Sequence, residues 1–451
     1  MKKNLILFIL GIASCSMAIA QTTLTLEDCR RLAVENNAKV RMAEGDRQGA
    51  KEVSKEAFTK YFPNVSASWL GFRSNTGVVQ YTLPTVGQLL PPGADALVPP
   101  EFSGMVNQSL GEINLVKKGW TGSVYAIQPI FMGGQIVNGN KLAHIGEEVA
   151  SLRKENAVDE VIVTSEKYYW QIVTLQSKKQ TLQSVLAMVD TLERQVNVAV
   201  DAGVAMPNDL LKVRLQRNDL CAAMVDLDNG IVLATNLLAQ YVGFSGDNII
   251  VVQEATPQTP PAYPADIFME PSQALPSTAD YRLLGLNVNA SELKTKLAIG
   301  ENLPKVGLGA GWMYDDLISE KHNFAAVMLT VSVPISDWWG GSHKIKKSRI
   351  EARNARIQQE DLSQMLVLKM QNAWDDLTAS HRKLTIAHEA IGQATENLRL
   401  NDNYYRAGIS TITDLLDAQT LFRQTLDRYT EAYGSYRICQ AQYLQATGQL
   451  R

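Results

Sequence analysis

The chain has 451 residues with 43 basic and 46 acidic side chains, a formal net charge of −3, and four cysteines. That balance argues against a nucleic-acid partner, and four scattered cysteines do not make a disulfide scaffold. Cys29, Cys221 and Cys439 stand alone on predicted helices and read as buried small residues rather than as a metal site.

Residues 1–20 read as an export signal, in which Lys2 and Lys3 precede an apolar run from Leu5 to Leu10 and Ala18-Ile19-Ala20 offers a small-residue cleavage site. Such a run is too short to span a membrane. Cleavage after Ala20 leaves Gln21 first; Ile12-Ala13-Ser14-Cys15 fits the alternative of a lipoprotein signal, with Cys15 as the lipidated residue. Thr25 and Asp28 then cap a helix that continues to about Tyr61, with a break near Asn36-Asn37.

Four stretches read as strands: 64–74, 121–130, 305–314 and 323–333. Each has the length of a tilted membrane strand. Alternation is clearest in the second half, where Val306, Leu308, Ala310, Trp312 and Tyr314 share one face and Gly307, Gly309, Gly311 and Met313 the other. Trp69, Trp120, Trp312, Trp338 and Trp339 lie in or beside these stretches, as an interfacial aromatic belt requires. Buried tryptophans in an ordinary soluble sheet would give the same pattern. Residues 75–120 form a long loop between the first two strands.

From 136 to 243 the chain reads as a helical hairpin. Ile172, Leu175, Leu182, Leu186, Val189, Leu192, Val196 and Ala199 make a heptad-like seam, and a helix from Ile136 to Ala202 spans about 100 Å at 1.5 Å per residue. The tip runs from Ala202-Gly203-Val204 to Asp209-Leu210-Leu211. An equivalent tip, Ala407-Gly408-Ile409 to Asp414-Leu415-Leu416, returns at an offset of 205 and belongs to a second hairpin over 342–448. Ala38 to Pro63 is likewise repeated as Ala279 to Pro304, at an offset of 241. The chain is therefore two structural repeats, 21–243 and 279–451, joined by a linker over 244–278. Of 16 prolines, five fall in the 75–120 loop and six in the linker, so none interrupts a seam. Pro129 and Pro334 are expected to end strands ahead of Gly-Gly turns at Gly133-Gly134 and Gly340-Gly341.

Four strands cannot close a membrane barrel, and an open edge is not tolerated in lipid. Nor can one chain bury so long a seam. Both facts point to an oligomer in which chains pool their strands.

Over essentially its whole mature length the sequence resembles the TolC-like outer membrane efflux proteins. The resemblance rests on the duplicated helix, two-strand and hairpin plan, on the two Pro and Gly-Gly segments, and on Tyr405-Arg406-Ala407-Gly408 followed by Thr413-Asp414-Leu415-Leu416-Asp417-Ala418. It implies a mainly α fold with a membrane β section, in which a trimer builds a twelve-stranded outer membrane barrel continued by a long periplasmic α-helical barrel. It also implies an exit duct for tripartite efflux or type I secretion, partnered by a periplasmic adaptor, an inner membrane transporter and outer membrane lipid.

By the same resemblance Asp414 and Asp417 form constricting carboxylate rings; their bland reading is a cap and a solvated first-turn carboxylate. Tyr405 matches a tyrosine that holds closed tips together and Asp209 a carboxylate of the neighbouring tip. The family's arginine two residues after Gly408 is Ser410 here, so the lock to Asp209 is absent or rebuilt through Arg406. Gly203-Val204 and Gly408-Ile409 match adaptor-docking tips; both glycines also suit helix ends. His381 and His388 lie seven apart on a seam with Trp374, Leu377 and Leu384, which is wrong for one metal ion. No metal, cofactor or enzymatic motif is expected. A soluble periplasmic coiled-coil adaptor or scaffold is the competing reading, since such proteins also use long hairpins; an adaptor would carry one hairpin rather than two.

Overall fold

The computed structural model describes residues 22–75, 79–89, 103–115, 117–244, 249–251, 257, 259–318, 320–335 and 337–450. The expected signal over 1–20, with Cys15, lies outside the described residues, as do part of the 75–120 loop and the side chain of Trp338.

In chain order the elements are β1 (Thr22–Leu24), α1 (Leu26–Asn36), α2 (Ala38–Thr59), β2 (Asn64–Arg73), β3 (Val79–Thr82), α3 (Val86–Leu89), α4 (Ser103–Val106), β4 (Glu112–Leu115) and β5 (Lys118–Met132). There follow α5 (Gln135–Asp201), α6 (Pro207–Tyr241), β6 (Ile249–Val251), α7 (Pro271–Ala274), α8 (Ala279–Glu301), β7 (Lys305–Ile318), β8 (Glu320–Ser332), α9 (Asp337–Arg406) and α10 (Ile412–Ala446). Two compact units result: a sheet unit of Lys51–Gly146 and Val288–Ala355, and a helical unit of the chain up to Ala50, Glu147–Asn287 and Arg356–Arg451.

The sheet unit holds an antiparallel sheet in the order β2-β5-β7-β8, so the two repeats meet where β5 pairs with β7. In register, Trp69 faces Gly122, Val124 faces Trp312, and Ala310 faces Val327. Alternation then gathers Val65, Trp69, Val124, Leu308, Trp312, Val327 and Leu329 on one face, all exposed. The opposite face mixes Ser66, Ser68, Thr121, Ser123, three glycines of β7 and Thr330 with the exposed Leu70, Tyr125, Met313, Phe324 and Met328; Ser68 and Ser123 hydroxyls share a hydrogen bond of 2.8 Å. Two of the tryptophan rings lie over a cross-strand glycine: a Cβ on Gly122 would come within 2.1 Å of Trp69, and one on Gly71 within 2.3 Å of Trp120. Trp69 also stacks on Tyr314 with ring centroids 5.6 Å apart.

Three expectations need correction here. Pro129 does not end its strand: β5 continues to Met132 through a register shift between Pro129 and Phe131. A proline has no N–H to give the ladder, and a bulge absorbs the gap. Gly133 and Gly134 do form a left-handed turn, with φ of 61° and 75°, but Gly340 and Gly341 lie inside α9. The reason for Gly341 is proximity, since its Cβ would sit 1.7 Å from Asn302 Oδ1. Finally, the stretch 75–120 is not loop alone: β3 and β4 pair over four residues there, too few for alternation to show in sequence.

The helical unit is built on three apolar clusters. Leu182, Val185, Val189, Leu192 and Val196 of α5 are buried against Val213 and Leu220 of α6 and Leu415 and Leu416 of α10. A second cluster surrounds Trp170, whose ring meets Tyr169 and Tyr433 edge-on and lies under the Arg437 guanidinium at 4.8 Å. α1 docks there through Cys29 and Ala33, and ends at Asn37 with ψ of 133°. The third cluster sets Leu377 and Leu384 of α9 against Tyr429, Tyr436 and Tyr443 of α10.

That last cluster also fastens the linker. Tyr429 Oη donates to the Pro257 carbonyl at 2.6 Å, Met269 N–H donates to Tyr443 Oη at 2.9 Å, and His381 Nε2 lies 2.9 Å from the Pro261 carbonyl. His381 is thus a packing residue, between Tyr263 and Tyr436. Among the described residues no cluster of His, Cys, Asp and Glu could hold a metal ion.

Candidate functional site at the hairpin tips

Both tips close by the same geometry. Gly203 and Gly408 take φ of 75° and 72°, a conformation that only glycine adopts without strain. Val204 N–H donates to the Ala199 carbonyl at 2.9 Å, and Ile409 N–H to the Tyr404 carbonyl at 2.8 Å. These are Schellman closures, which satisfy the last carbonyls of α5 and α9. Both leave an apolar side chain in solvent: Val204 is 80% exposed, Ile409 75% and Met206 71%.

The helices that leave the tips start differently. α10 begins with a capping box: Asp414 N–H donates to Thr411 Oγ1 at 3.3 Å, while Thr411 N–H and Oγ1 donate to Asp414 Oδ2 at 2.9 and 2.7 Å. Those bonds hold the Asp414 carboxyl below its ordinary value. In the first repeat the N-cap position is Met206, which makes no side-chain cap hydrogen bond, and Pro207 follows as the first helical residue. Asp209, the counterpart of Asp414, is therefore released from capping and lies 3.8 Å from Lys212 Nζ. Asp417, one turn on, is exposed and makes no hydrogen bond or ion pair among the described residues.

Tyr405 is half-buried against the cluster around Leu415. Burial pushes its phenol up, and the charge of Asp209 adds to the shift, so the two share one neighbourhood. Arg406 does not join them. Its guanidinium pairs instead with Asp402 on its own helix, at 2.9 Å. One residue of this site left no trace in the sequence: Lys212 Nζ donates to Thr413 Oγ1 at 3.0 Å and so ties α6 to α10. Gln216 Nε2 donates to Thr420 Oγ1 at 3.2 Å, repeating the link one turn on along α6 and two along α10.

The described fold is thus a pair of helical hairpins, repeated within one chain, with an antiparallel four-stranded sheet that carries an apolar face. Known proteins share this plan. Residues 271–449 match the model of the outer membrane efflux protein family. The outer membrane efflux protein BepC of Brucella suis biovar 1 (strain 1330) is 23% identical over 78% of this chain and 77% of its own. Among solved structures, the outer-membrane channel OprN is similar at a TM-score of 0.75 and 16% identity, covering 94% of this chain and 89% of that one. CusC, whose structures concern folding and transmembrane channel formation, is similar at a TM-score of 0.77 and 12% identity, covering 94% and 91%. The second repeat thus carries the outer membrane efflux protein signature, and the chain as a whole has the TolC-like fold, a fold of channel proteins.

Proposed function

We infer that this protein is the outer membrane channel of a tripartite efflux or export system, with its strands in the outer membrane and its hairpins in the periplasm. The observation that carries this reading is the sheet. One face is apolar and exposed from Val65 to Leu329, and β2 and β8 each pair on one side only among the described residues. Such a sheet is stable in lipid only when neighbouring copies pair the open edges, and three copies supply twelve strands. The helices make the same demand, since Leu211, Leu215, Val225, Val232 and Leu233 of α6 are exposed in the single chain.

Within that assembly Asp417 and Asp414 line the narrow end, and Tyr405 with Asp209 holds the tips closed without the family's arginine. Asp417 is the freer carboxylate, because Asp414 is engaged in its cap. The exposed Val204, Met206 and Ile409 offer a periplasmic adaptor an apolar landing, and the adaptor links the duct to an inner membrane transporter. The soluble-adaptor reading has no observation in its favour, since the family match is to outer membrane efflux proteins.

The test is conductance of the purified protein in a planar bilayer. Asp417→Asn is expected to weaken cation preference more than Asp414→Asn does. Equal selectivity in both variants and the parent would remove the carboxylates from the pore.

A further inference from the structure

The apolar face of the sheet stops at the last residue of β2 and the first of β5. There Arg73 of β2 stands directly opposite Lys118 of β5, and alternation places both on the face that carries Trp69, Trp120, Trp312 and Val327. Two cations in register repel each other. Among the described residues neither has an acidic partner within ion-pair distance, and Asp316, opposite Trp120, pairs with neither. A cleft opens at this point, lined by Gly71, Phe72, Gly119 and Trp120, with both cations and Asp316 on its wall. The Trp120 indole is held over Gly71, so the cleft keeps an aromatic side.

We propose that Arg73 and Lys118 seat the phosphates of an outer-leaflet glycolipid. This rests on the reading of the apolar face as the lipid-facing one. The ligand must bring negative charge to relieve the paired cations and must also tolerate the apolar surface that begins one residue further down the strands. A phosphorylated glycolipid does both: its phosphates meet the guanidinium and ammonium, and its acyl chains run on past Trp69 and Trp312. Arginine binds phosphate bidentately, while lysine acts as a point charge. An indole ring at the boundary suits the headgroup level. Free phosphate would gain the cations alone.

The full chain, purified in detergent, is titrated with bisphosphorylated lipid A, with the same lipid after removal of its phosphates, and with inorganic phosphate. The variant is Arg73→Gln/Lys118→Gln. The double variant is expected to bind bisphosphorylated lipid A roughly thirtyfold more weakly, at about fivefold per cation, and to bind the dephosphorylated lipid as the parent does. Equal affinity of parent and variant for the bisphosphorylated lipid would overturn the proposal. So would displacement of that lipid by inorganic phosphate at matched concentration. Both proteins are also placed in vesicles of brominated phospholipid. Tryptophan quenching in parent and variant shows that the fold and its lipid contact persist, so that equal affinities then sink the phosphate seat alone. Absence of quenching in both would sink the lipid-facing reading and the seat with it.

Discussion

Replacing Arg30 by alanine strands the carboxylate of Glu166, whose side chain is 4% exposed and whose ion-pair partner is the Arg30 guanidinium at 2.8 Å. The pair fastens α1 to α5 beside the Trp170 cluster. Burial already pushes the Glu166 carboxyl up from its ordinary value, against the pull of Arg30. Breaking a buried pair costs about 3–5 kcal/mol. Arg30 is 32% exposed, so solvent screening favours the lower end. A second limit agrees: the stranded carboxylate can take up a proton, which at pH 7 costs about 3.7 kcal/mol for a group with an unperturbed pKa near 4.3. The expected loss is therefore about 3 kcal/mol at pH 7.

The sign with pH follows from the direction of the shift. A carboxyl whose folded value lies above its unfolded one penalises the fold when ionised, so the penalty is full above the folded value. It fades as pH falls and vanishes below the unfolded value. The assay is amide hydrogen exchange of Leu26–Asn36 in the detergent-solubilised protein at pH 7 and pH 5, corrected for the intrinsic rate. Arg30→Ala should lose roughly a hundredfold protection at pH 7 and less at pH 5. Arg30→Leu/Glu166→Met should recover most of it. Unchanged protection at pH 7, or a loss equal at both pH values, would refute the reasoning.

Three other outcomes are expected. Thr411→Ala removes the cap of α10 at a cost of about 1 kcal/mol, read as faster exchange at Ile412 to Leu416. Because the Asp414 carboxyl is held below its ordinary value by the same box, the parent's cap is intact above about pH 4 and is lost as pH falls through the lowered value; the variant should show no such acid loss. Gly434→Leu should destabilise the α5–α10 contact by about 1–3 kcal/mol, since a Cβ at Gly434 already comes within 2.6 Å of Thr174 Oγ1; denaturant unfolding followed by Trp170 fluorescence reads it. Tyr405→Phe should raise resting conductance in a bilayer, and an unchanged value would remove Tyr405 from the closed gate.

The helices were legible because their signals are local and repeated. The seam through Leu182, Val189 and Val196 is periodic, and the Gly203 and Gly408 closures recur at a fixed offset with identical backbone bonds. The strands of the second repeat were legible because Val306 to Tyr314 alternates without interruption. Pro129 misled because a bulge lets a strand survive a missing donor, and Gly341 because a glycine at a close approach looks like a glycine chosen for a turn. Long-range polar contacts left no pattern at all. Lys212 to Thr413, and the linker carbonyls held by Tyr429 and His381, each join residues more than a hundred positions apart. The Arg406 pair is by contrast local, to Asp402 one turn back on the same helix.

The central claim is that copies of this chain pool their strands in a membrane. Light scattering of the purified mature protein, with and without detergent, tests it most directly. A particle of three chains that requires detergent is the predicted result, with the edges of β2 and β8 paired between copies. A detergent-free monomer or dimer would contradict the account and return the apolar face of the sheet to a soluble protein.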